Sequence, residues 1–225
     1  MDNCRDCFSK CAVFRLLNSE ERILICQKKT EVNFHPKEVI YKQGSPLTQV
    51  LVLVSGIAKI YLEGYNNRNL ILTLIQPHEI VAGPGMFADK KHHFSISALS
   101  KCSACMIEME TFKNIINANR PFAEEFIRDF ANRTINIWQK FLSLSNKHMH
   151  GRIAESLLYL SRSVFKSNSF NMIINREELS EMAGLSKEWA TRILIEFKKE
   201  GIINIANKEI EITDVSKLEK ISEKG

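Results

Sequence analysis

The 225-residue sequence has no long uninterrupted apolar stretch. Its most apolar segment, residues 50–62, is broken by Ser55, Gly56 and Lys59, and the chain does not open on a basic segment followed by an apolar one. These absences argue against a membrane-spanning helix and a secretory signal peptide, so we expect a cytoplasmic protein that does not bind a membrane. In that compartment the six cysteines are expected to be thiols or metal ligands rather than disulfides.

The C-terminal third of the chain has no excess of positive or negative charge. The net charge of the whole chain is +5, but residues 147–225 hold 13 basic and 12 acidic side chains. Bulk basicity therefore does not indicate a nucleic-acid partner. No catalytic constellation is apparent either, so an enzyme is not expected. The hydrophobic fraction of 44% and the charged fraction of 25% are ordinary for a folded chain, and its length suffices for two domains.

Residues 175–203 have the spacing of a helix-turn-helix. Apolar side chains recur at i, i+3, i+4 and i+7, which is one stripe of an α-helix: Ala190, Ile193, Leu194 and Phe197. The predicted N-cap, the first turn and the opposite face are polar: Ser186, Lys187, Glu188, Thr191 and Arg192. Because the N-terminal end of a recognition helix meets the base edges, these five residues are the candidate DNA contacts. An ordinary solvated helical hairpin is the alternative.

The segments on either side of this helix complete the pattern. Asn175 and Glu178 predict a capping box, and Gly184 predicts the end of the first helix. After the second helix, isoleucines alternate with polar residues on both sides of a turn, at Ile203, Ile205, Ile210 and Ile212. That alternation predicts a β-hairpin wing, and residues 147–225 are therefore predicted to form a winged helix-turn-helix domain.

The segment Leu185-Ser186-Lys187-Glu188-Trp189-Ala190-Thr191-Arg192-Ile193-Leu194 resembles the recognition helix of Crp/Fnr-type bacterial transcription regulators, and the resemblance extends over essentially the whole chain. It implies that Glu188 and Arg192 contact bases. Arginine can donate to guanine O6 and N7, and glutamate can accept from cytosine N4. Thr191 stands where the Fnr branch has serine, which implies a TTGAT-type half-site. Double-stranded DNA and RNA polymerase are the implied partners, and Trp189 departs from the small residue usual at its position.

The first 120 residues predict an antiparallel β domain. Short β-branched runs are separated by turn residues, at residues 39–41, 50–54, 58–62 and 70–75. Together with the helices this predicts an α+β chain with an N-terminal barrel or sandwich. The resemblance implies that residues 1–120 form a β-roll sensor domain of the cyclic-nucleotide-binding type.

Residues 121–146 predict a long helix with a heptad seam. The side chains of this seam alternate spacings of three and four: Ile127, Phe130, Thr134, Ile137, Phe141 and Leu144. A single amphipathic helix packed on its own domain is the alternative. The resemblance favours a dimerisation helix and hence a homodimer. Its two recognition helices would lie roughly 34 Å apart, which predicts a palindromic operator.

The N-terminus carries Cys4, Cys7 and Cys11 within eight residues. Three thiolates so close together could bind one metal ion or one cluster. A fourth ligand would have to come from another part of the chain. Fnr-type oxygen sensors add a distant cysteine near a strand–helix junction, and residues 104–112 resemble that junction. The resemblance therefore nominates Cys105 rather than Cys102 or Cys26, and implies a [4Fe-4S] cluster that oxygen or nitric oxide destroys.

The sequence also allows other roles for these cysteines. A zinc site and thiols without a ligand are the two main alternatives. A thiol oxidoreductase built on the Cys4-x-x-Cys7 motif is disfavoured, because a redox motif of this kind follows a strand, and no predicted strand precedes Cys4.

The predicted sensor domain has a weak nucleotide pocket. The resemblance places this pocket at Gly83, His93 and Ser95, but the family's glutamate for the ribose hydroxyl and its arginine for the phosphate are absent. Without a fixed positive charge, no charge-assisted hydrogen bond would replace the water that the phosphate loses on binding, and this argues against cyclic AMP. An unidentified small molecule in the β-roll is the alternative effector. Haem, bound through histidines such as His35 or His92, is a minor one.

Overall fold

The computed structural model describes residues 7–65, 68–207 and 209–225, so Cys4 lies outside the described residues. The chain divides into two compact units. The first runs up to Leu62 and resumes over Leu74–Asn136, and the second comprises Glu63–Thr73 and Ile137–Gly225. No helix in these described ranges is both long and apolar enough to cross a membrane.

Antiparallel strands build most of the first unit. Their bounds are β1 Lys29–Phe34, β2 Val39–Tyr41, β3 Gln49–Ser55, β4 Ala58–Leu62, β5 Leu70–Ile75, β6 Ile80–Val81, β7 Ser95–Ala98 and β8 Cys102–Glu108. Of β5, only Leu74 and Ile75 belong to the first unit. One sheet has the order β1-β8-β3-β6 and the other the order β2-β7-β4-β5. The middle of β3 is fully buried because it is apolar on both faces. The predicted N-terminal β-roll is thus confirmed.

The helices of the first unit are α1 Ser19–Gln27, α2 Met109–Ala118 and the long α3 Arg120–Asn146, which continues into the second unit. Of these, α3 was predicted from the sequence, and the strand–helix junction that the resemblance places at residues 104–112 corresponds to the end of β8 and the start of α2. A reciprocal capping box between Asn18 and Glu21 starts α1. The segment before α1 is buried through Phe14, which stacks on Phe122 of α3 with ring centroids 6.3 Å apart. The cysteine-bearing N-terminal segment is therefore part of the core of this unit.

The second unit contains the predicted winged helix-turn-helix. Its elements are α4 Met149–Tyr159, a π-helical segment Leu160–Phe165, β9 Ser169–Asn171, α5 Arg176–Ala183, α6 Lys187–Lys199, β10 Ile203–Ala206, β11 Glu209–Ile212 and α7 Val215–Lys224. The wing is the β10–β11 hairpin, and β9 extends it to the order β10-β11-β9. The fold therefore confirms the α+β class predicted from the sequence.

The turn between α5 and α6 is tied to the end of α3. Gly184 adopts a left-handed conformation with φ of 61°, and Leu144 lies 2.7 Å from where a Cβ at Gly184 would stand. The Lys140 ammonium donates to the carbonyl of Met182, and Arg152 Nη1 donates to the carbonyl of Gly184 over 3.3 Å. These contacts satisfy carbonyls that a helix end leaves without a partner. Burial lowers the pKa of Lys140.

Replacing Gly184 with alanine is expected to destabilise the protein by roughly 2–4 kcal/mol. The left-handed conformation costs a Cβ about 1–2 kcal/mol, and overpacking against Leu144 adds about 1–2 kcal/mol. The matched control is Gly201→Ala, since Gly201 has φ of 67° but no atom within 4 Å of the added Cβ. Urea unfolding measures both variants. Equal losses would show that contact with Leu144 contributes nothing.

Candidate functional site

The recognition helix α6 presents a polar face because its apolar face is buried. Its N-cap is Ser186, whose hydroxyl accepts a hydrogen bond from the Trp189 amide. The side chains that fix the helix on its own unit are all at most 2% exposed: Ala190, Ile193, Leu194 and Phe197. Glu188 and Arg192, one turn apart on the opposite side, are exposed. Of the other predicted contacts, Lys187 is exposed and Thr191 is half-buried.

The carboxylate of Glu188 and the guanidinium of Arg192 each interact with a different neighbour on this face. The backbone amide of Glu188 and then the Ser186 hydroxyl hydrogen-bond its carboxylate and lower the pKa of Glu188, so it stays anionic and accepts hydrogen bonds. The guanidinium carbon of Arg192 lies 4.7 Å from the centroid of the Trp189 ring. The face therefore offers an acceptor at Glu188 and a planar donor at Arg192, which is the chemistry that reads cytosine and guanine edges.

Helix α3 carries an exposed apolar stripe. Three residues of the predicted seam belong to it, namely Ile127, Phe130 and Phe141. The hydroxyl of Thr134 forms its hydrogen bond within the helix, because it donates to the Phe130 carbonyl over 2.9 Å. The large apolar residues of the stripe are all more than 40% exposed: Ile127, Phe130, Ile135, Trp138, Phe141 and Leu142. An apolar surface of this extent is typical of a protein–protein interface.

The stripe is rotated relative to the heptad seam read from the sequence. Ile137 and Leu144 are half-buried, and they lie on the side of α3 that carries the buried Phe126. Leu144 packs against Gly184 within its own unit. An α-helix has 3.6 residues per turn, so a strict seven-residue reading drifts off the exposed face. Sequence reasoning therefore missed Trp138, whose exposure of 65% is the largest among the stripe residues.

Two of the predicted cysteines adjoin. The Cys7 and Cys105 thiols are hydrogen-bonded to each other, and both line a small cavity with Lys29. The Lys29 ammonium lies 3.8 Å from Cys105 Sγ. The hydrogen bond with Cys7, helped by the charge of Lys29, outweighs burial and lowers the pKa of Cys105 to about 7. Lys29 was not anticipated, because its approach depends on the pairing of β1 with β8.

Two other described cysteines, Cys11 and Cys102, do not join this pair. Burial raises the pKa of Cys11, which lies one helical turn after Cys7 and lines a different cavity of about 310 Å³ beside Glu79. Burial also raises the pKa of Cys102, whose thiol donates to the Ile57 carbonyl over 3.3 Å. Within residues 7–65, 68–207 and 209–225 no three His, Cys, Asp or Glu side chains are grouped to hold a metal ion. The described thiols thus supply two adjacent sulfur ligands, fewer than the four of a [4Fe-4S] cluster.

One of the predicted nucleotide-pocket residues, His93, contacts a carboxylate. His93 Nε2 is 3.0 Å from Asp89 Oδ1, and this hydrogen bond lowers the pKa of Asp89. The Ser95 hydroxyl is buried and accepts from the Gln43 amide over 2.8 Å. At Gly83 the Phe94 ring stands 3.3 Å from where a Cβ would be. The Asp89 carboxylate would repel a phosphate bound at the His93 ring.

His92 differs from His93 in being 3% exposed. Its ring stacks on Tyr41 with centroids 4.1 Å apart, and within the described part of the chain its Nε2 is buried without a hydrogen-bond partner. Burial lowers the pKa of His92, so the native state favours the neutral ring.

Stability is expected to fall as the pH drops below about 6.5. The unfolded state then binds a proton at His92 that the native state excludes, and up to about 1.4 kcal/mol is lost per pH unit until the folded pKa is passed. His92→Phe should flatten this part of the profile of unfolding free energy against pH, whereas the same change at the exposed His35 should leave it unaltered. Parallel profiles for wild type and His92→Phe would contradict the assignment.

Comparisons with known proteins match both units. The model of the cyclic nucleotide-binding domain family matches residues 31–119, and that of the Crp-like helix-turn-helix domain matches residues 151–221. The anaerobic regulatory protein of Pasteurella multocida is 25% identical over 98% of this chain and 82% of its own length. The transcriptional activator protein anr of Pseudomonas aeruginosa is 26% identical over 79% of this chain and 74% of its own length.

Other relatives and solved structures agree in fold. A CRP-like cAMP-activated global transcriptional regulator of Mycobacterium tuberculosis is 20% identical over 93% of this chain and 96% of its own length, so the relatives' names do not select one effector. The structure of FixK2 from Bradyrhizobium japonicum has a TM-score of 0.78 at 19% identity, covering 86% of this chain and 96% of FixK2. That of a CooA mutant from Carboxydothermus hydrogenoformans has a TM-score of 0.73 at 20% identity, covering 89% of each chain.

Proposed function

Because the chain belongs to the Crp/Fnr family of transcription regulators, with a Crp-like helix-turn-helix for DNA, we propose that it is a homodimer that reads a palindromic operator and responds to a redox signal. The outward face of α6 carries the first part of this proposal. Glu188 and Arg192 are exposed one turn apart, opposite a fully buried stripe that fixes the helix. Ser186, Lys187 and Thr191 complete the proposed contacts.

The proposed dimer uses the exposed stripe of α3. Ile127, Phe130 and Phe141 are retained from the sequence prediction, and the exposed Trp138 joins them. The half-buried Thr134 lies between Phe130 and Trp138 on this side of the helix and is retained as well. Two such stripes would remove each other's apolar surface from water. A two-fold axis along the seam would place the two copies of α6 in successive turns of the major groove on one face of the DNA. RNA polymerase is the proposed protein partner of the DNA-bound dimer.

The proposed redox response depends on Cys7 and Cys105. Their mutual hydrogen bond and the nearby Lys29 ammonium stabilise a thiolate, which is the form that binds metals and reacts with oxidants. A [4Fe-4S] cluster held by Cys4, Cys7, Cys11 and Cys105 is one form of this proposal, and a metal-free thiol pair is the other. Iron and acid-labile sulfide, measured in protein purified without oxygen, distinguish the two forms. The anionic Asp89 supports an effector other than cyclic AMP.

Cys105→Ser is expected to abolish the difference in operator affinity between oxygen-free and air-exposed protein. Serine is nearly isosteric with cysteine but supplies no thiolate, so the folded state should survive while the redox chemistry is lost. The matched controls are Cys26→Ser, at an exposed thiol, and Cys102→Ser, at a buried thiol of the same strand. Both should keep the response in a fluorescence-anisotropy titration.

Two outcomes would contradict the redox proposal. One is a wild-type protein whose operator affinity is the same before and after air. The other is a Cys105→Ser variant that responds to air as the wild type does. The first outcome leaves DNA reading by α6 intact and directs attention to a small molecule in the β-roll.

A further inference from the structure

Trp189 occupies an unusual place on the recognition helix. Its large apolar ring is 41% exposed although the adjacent Ala190 is fully buried. Part of the side chain therefore lies in solvent, outside the core that fixes α6. Its described contact is the guanidinium of Arg192, three residues later, whose central carbon lies 4.7 Å from the ring centroid.

The carboxylates that flank Arg192 are engaged elsewhere. Glu188 and Glu196 lie four residues before and after it, at the spacing of helical ion pairs. The Glu188 carboxylate accepts hydrogen bonds from its own backbone amide and from the Ser186 hydroxyl. Glu196 Oε2 lies 2.7 Å from His150 Nε2. Among the described residues none forms a hydrogen bond or an ion pair with Arg192. The indole face is thus the group that holds the guanidinium.

We propose that Trp189 is a specificity-determining residue, which positions Arg192 so that the edge of its guanidinium faces a guanine. This inference rests on the proposed reading of DNA by α6. Stacking uses the face of the guanidinium and leaves its N–H donors in the plane free. A bidentate bond to guanine O6 and N7 needs those donors in one orientation, and an arginine already held there loses less freedom on binding.

The test uses the full-length protein and a duplex enriched by the wild type from a random library. Affinities are measured for that duplex, for versions with each guanine replaced, and for random-sequence DNA. Trp189→Ala should lower affinity for the enriched duplex about twofold to fivefold, the range of an exposed cation–π contact. The preference for guanine should weaken at the one base pair that Arg192→Ala also affects. Trp189→Phe keeps an aromatic face and should retain most of the preference.

The double variant Trp189→Ala/Arg192→Ala separates positioning from a direct contact with DNA. If Trp189 acts through Arg192, the double variant should bind as Arg192→Ala does. Additive losses, or a Trp189→Ala loss equal on enriched and random DNA, would overturn the inference and assign the indole to the DNA backbone. If Arg192→Ala itself preserves every base preference, the proposed reading fails, and if the wild type enriches no sequence, the proposed function fails. Melting temperatures of the variants identify any loss due to folding.

Discussion

Arg192→Ala is expected to cost about 1–3 kcal/mol of binding free energy on the operator and almost nothing on random-sequence DNA. Arg192 lies on the exposed face of α6, from which its donors are proposed to reach a base edge rather than a phosphate. A residue that reads a base contributes to the specific complex alone, because affinity for random DNA comes from charge. The measurement is a pair of titrations at one salt concentration.

The control for charge is Arg176→Ala. Arg176 is also exposed and lies in the same unit, at the start of α5 rather than on the outward face of α6. Its removal subtracts the same charge and should leave the ratio of specific to nonspecific affinity unchanged. An equal loss on both DNAs for Arg192→Ala would mean that Arg192 touches phosphate only, and the base-reading role of α6 would then rest on Glu188.

Trp138→Glu is expected to convert the dimer into monomers and to lower affinity for a palindromic operator about 100-fold or more. The glutamate would place a charge in the centre of an apolar seam, where burying it without a partner is costly. A monomer also loses the gain from linking two half-site contacts, which ranges from about 10² to 10⁴. Sedimentation equilibrium measures the dimer, and titration of full and half operators measures the linkage.

The neighbouring residue supplies the control for this experiment. Gln139 is exposed on α3 but lies off the apolar stripe, so Gln139→Glu adds the same charge without entering the seam. It should remain dimeric and bind as the wild type does. A Trp138→Glu protein that stays dimeric would show that the stripe is not the interface, whatever the outcome for DNA reading by α6.

Features that depend on a few neighbouring residues were predictable from the sequence. The capping box of Asn175 with Glu178, the left-handed Gly184 and the Ser186 cap are all present as expected. Each is local because its donor and acceptor lie within four residues of each other. The same signature, Asn18 followed three residues later by Glu21, precedes α1 and would have located that helix.

Features that depend on tertiary packing were not predictable. The approach of Lys29 to Cys105 requires two strands distant in sequence to pair in one register. The exposed side of α3 follows from where the buried Phe126 packs, and a seven-residue pattern alone does not contain that information. Arg192 stacks on Trp189 while Glu196, a helical ion-pair candidate for it, contacts His150, 46 residues away.

The attachment of Lys140 to the carbonyl of Met182 bears on the spacing of the operator. Lys140 lies on α3 between Trp138 and Phe141 of the apolar stripe, so the seam and the turn before α6 share one helical segment. Adding one base pair between half-sites rotates one against the other by about 34–36°, since B-DNA has about 10 to 10.5 base pairs per turn. In the proposed dimer, a copy of α6 that followed this rotation would strain either the seam or the lysine contact. The length of the spacer should therefore be selected as strictly as the bases on either side of it.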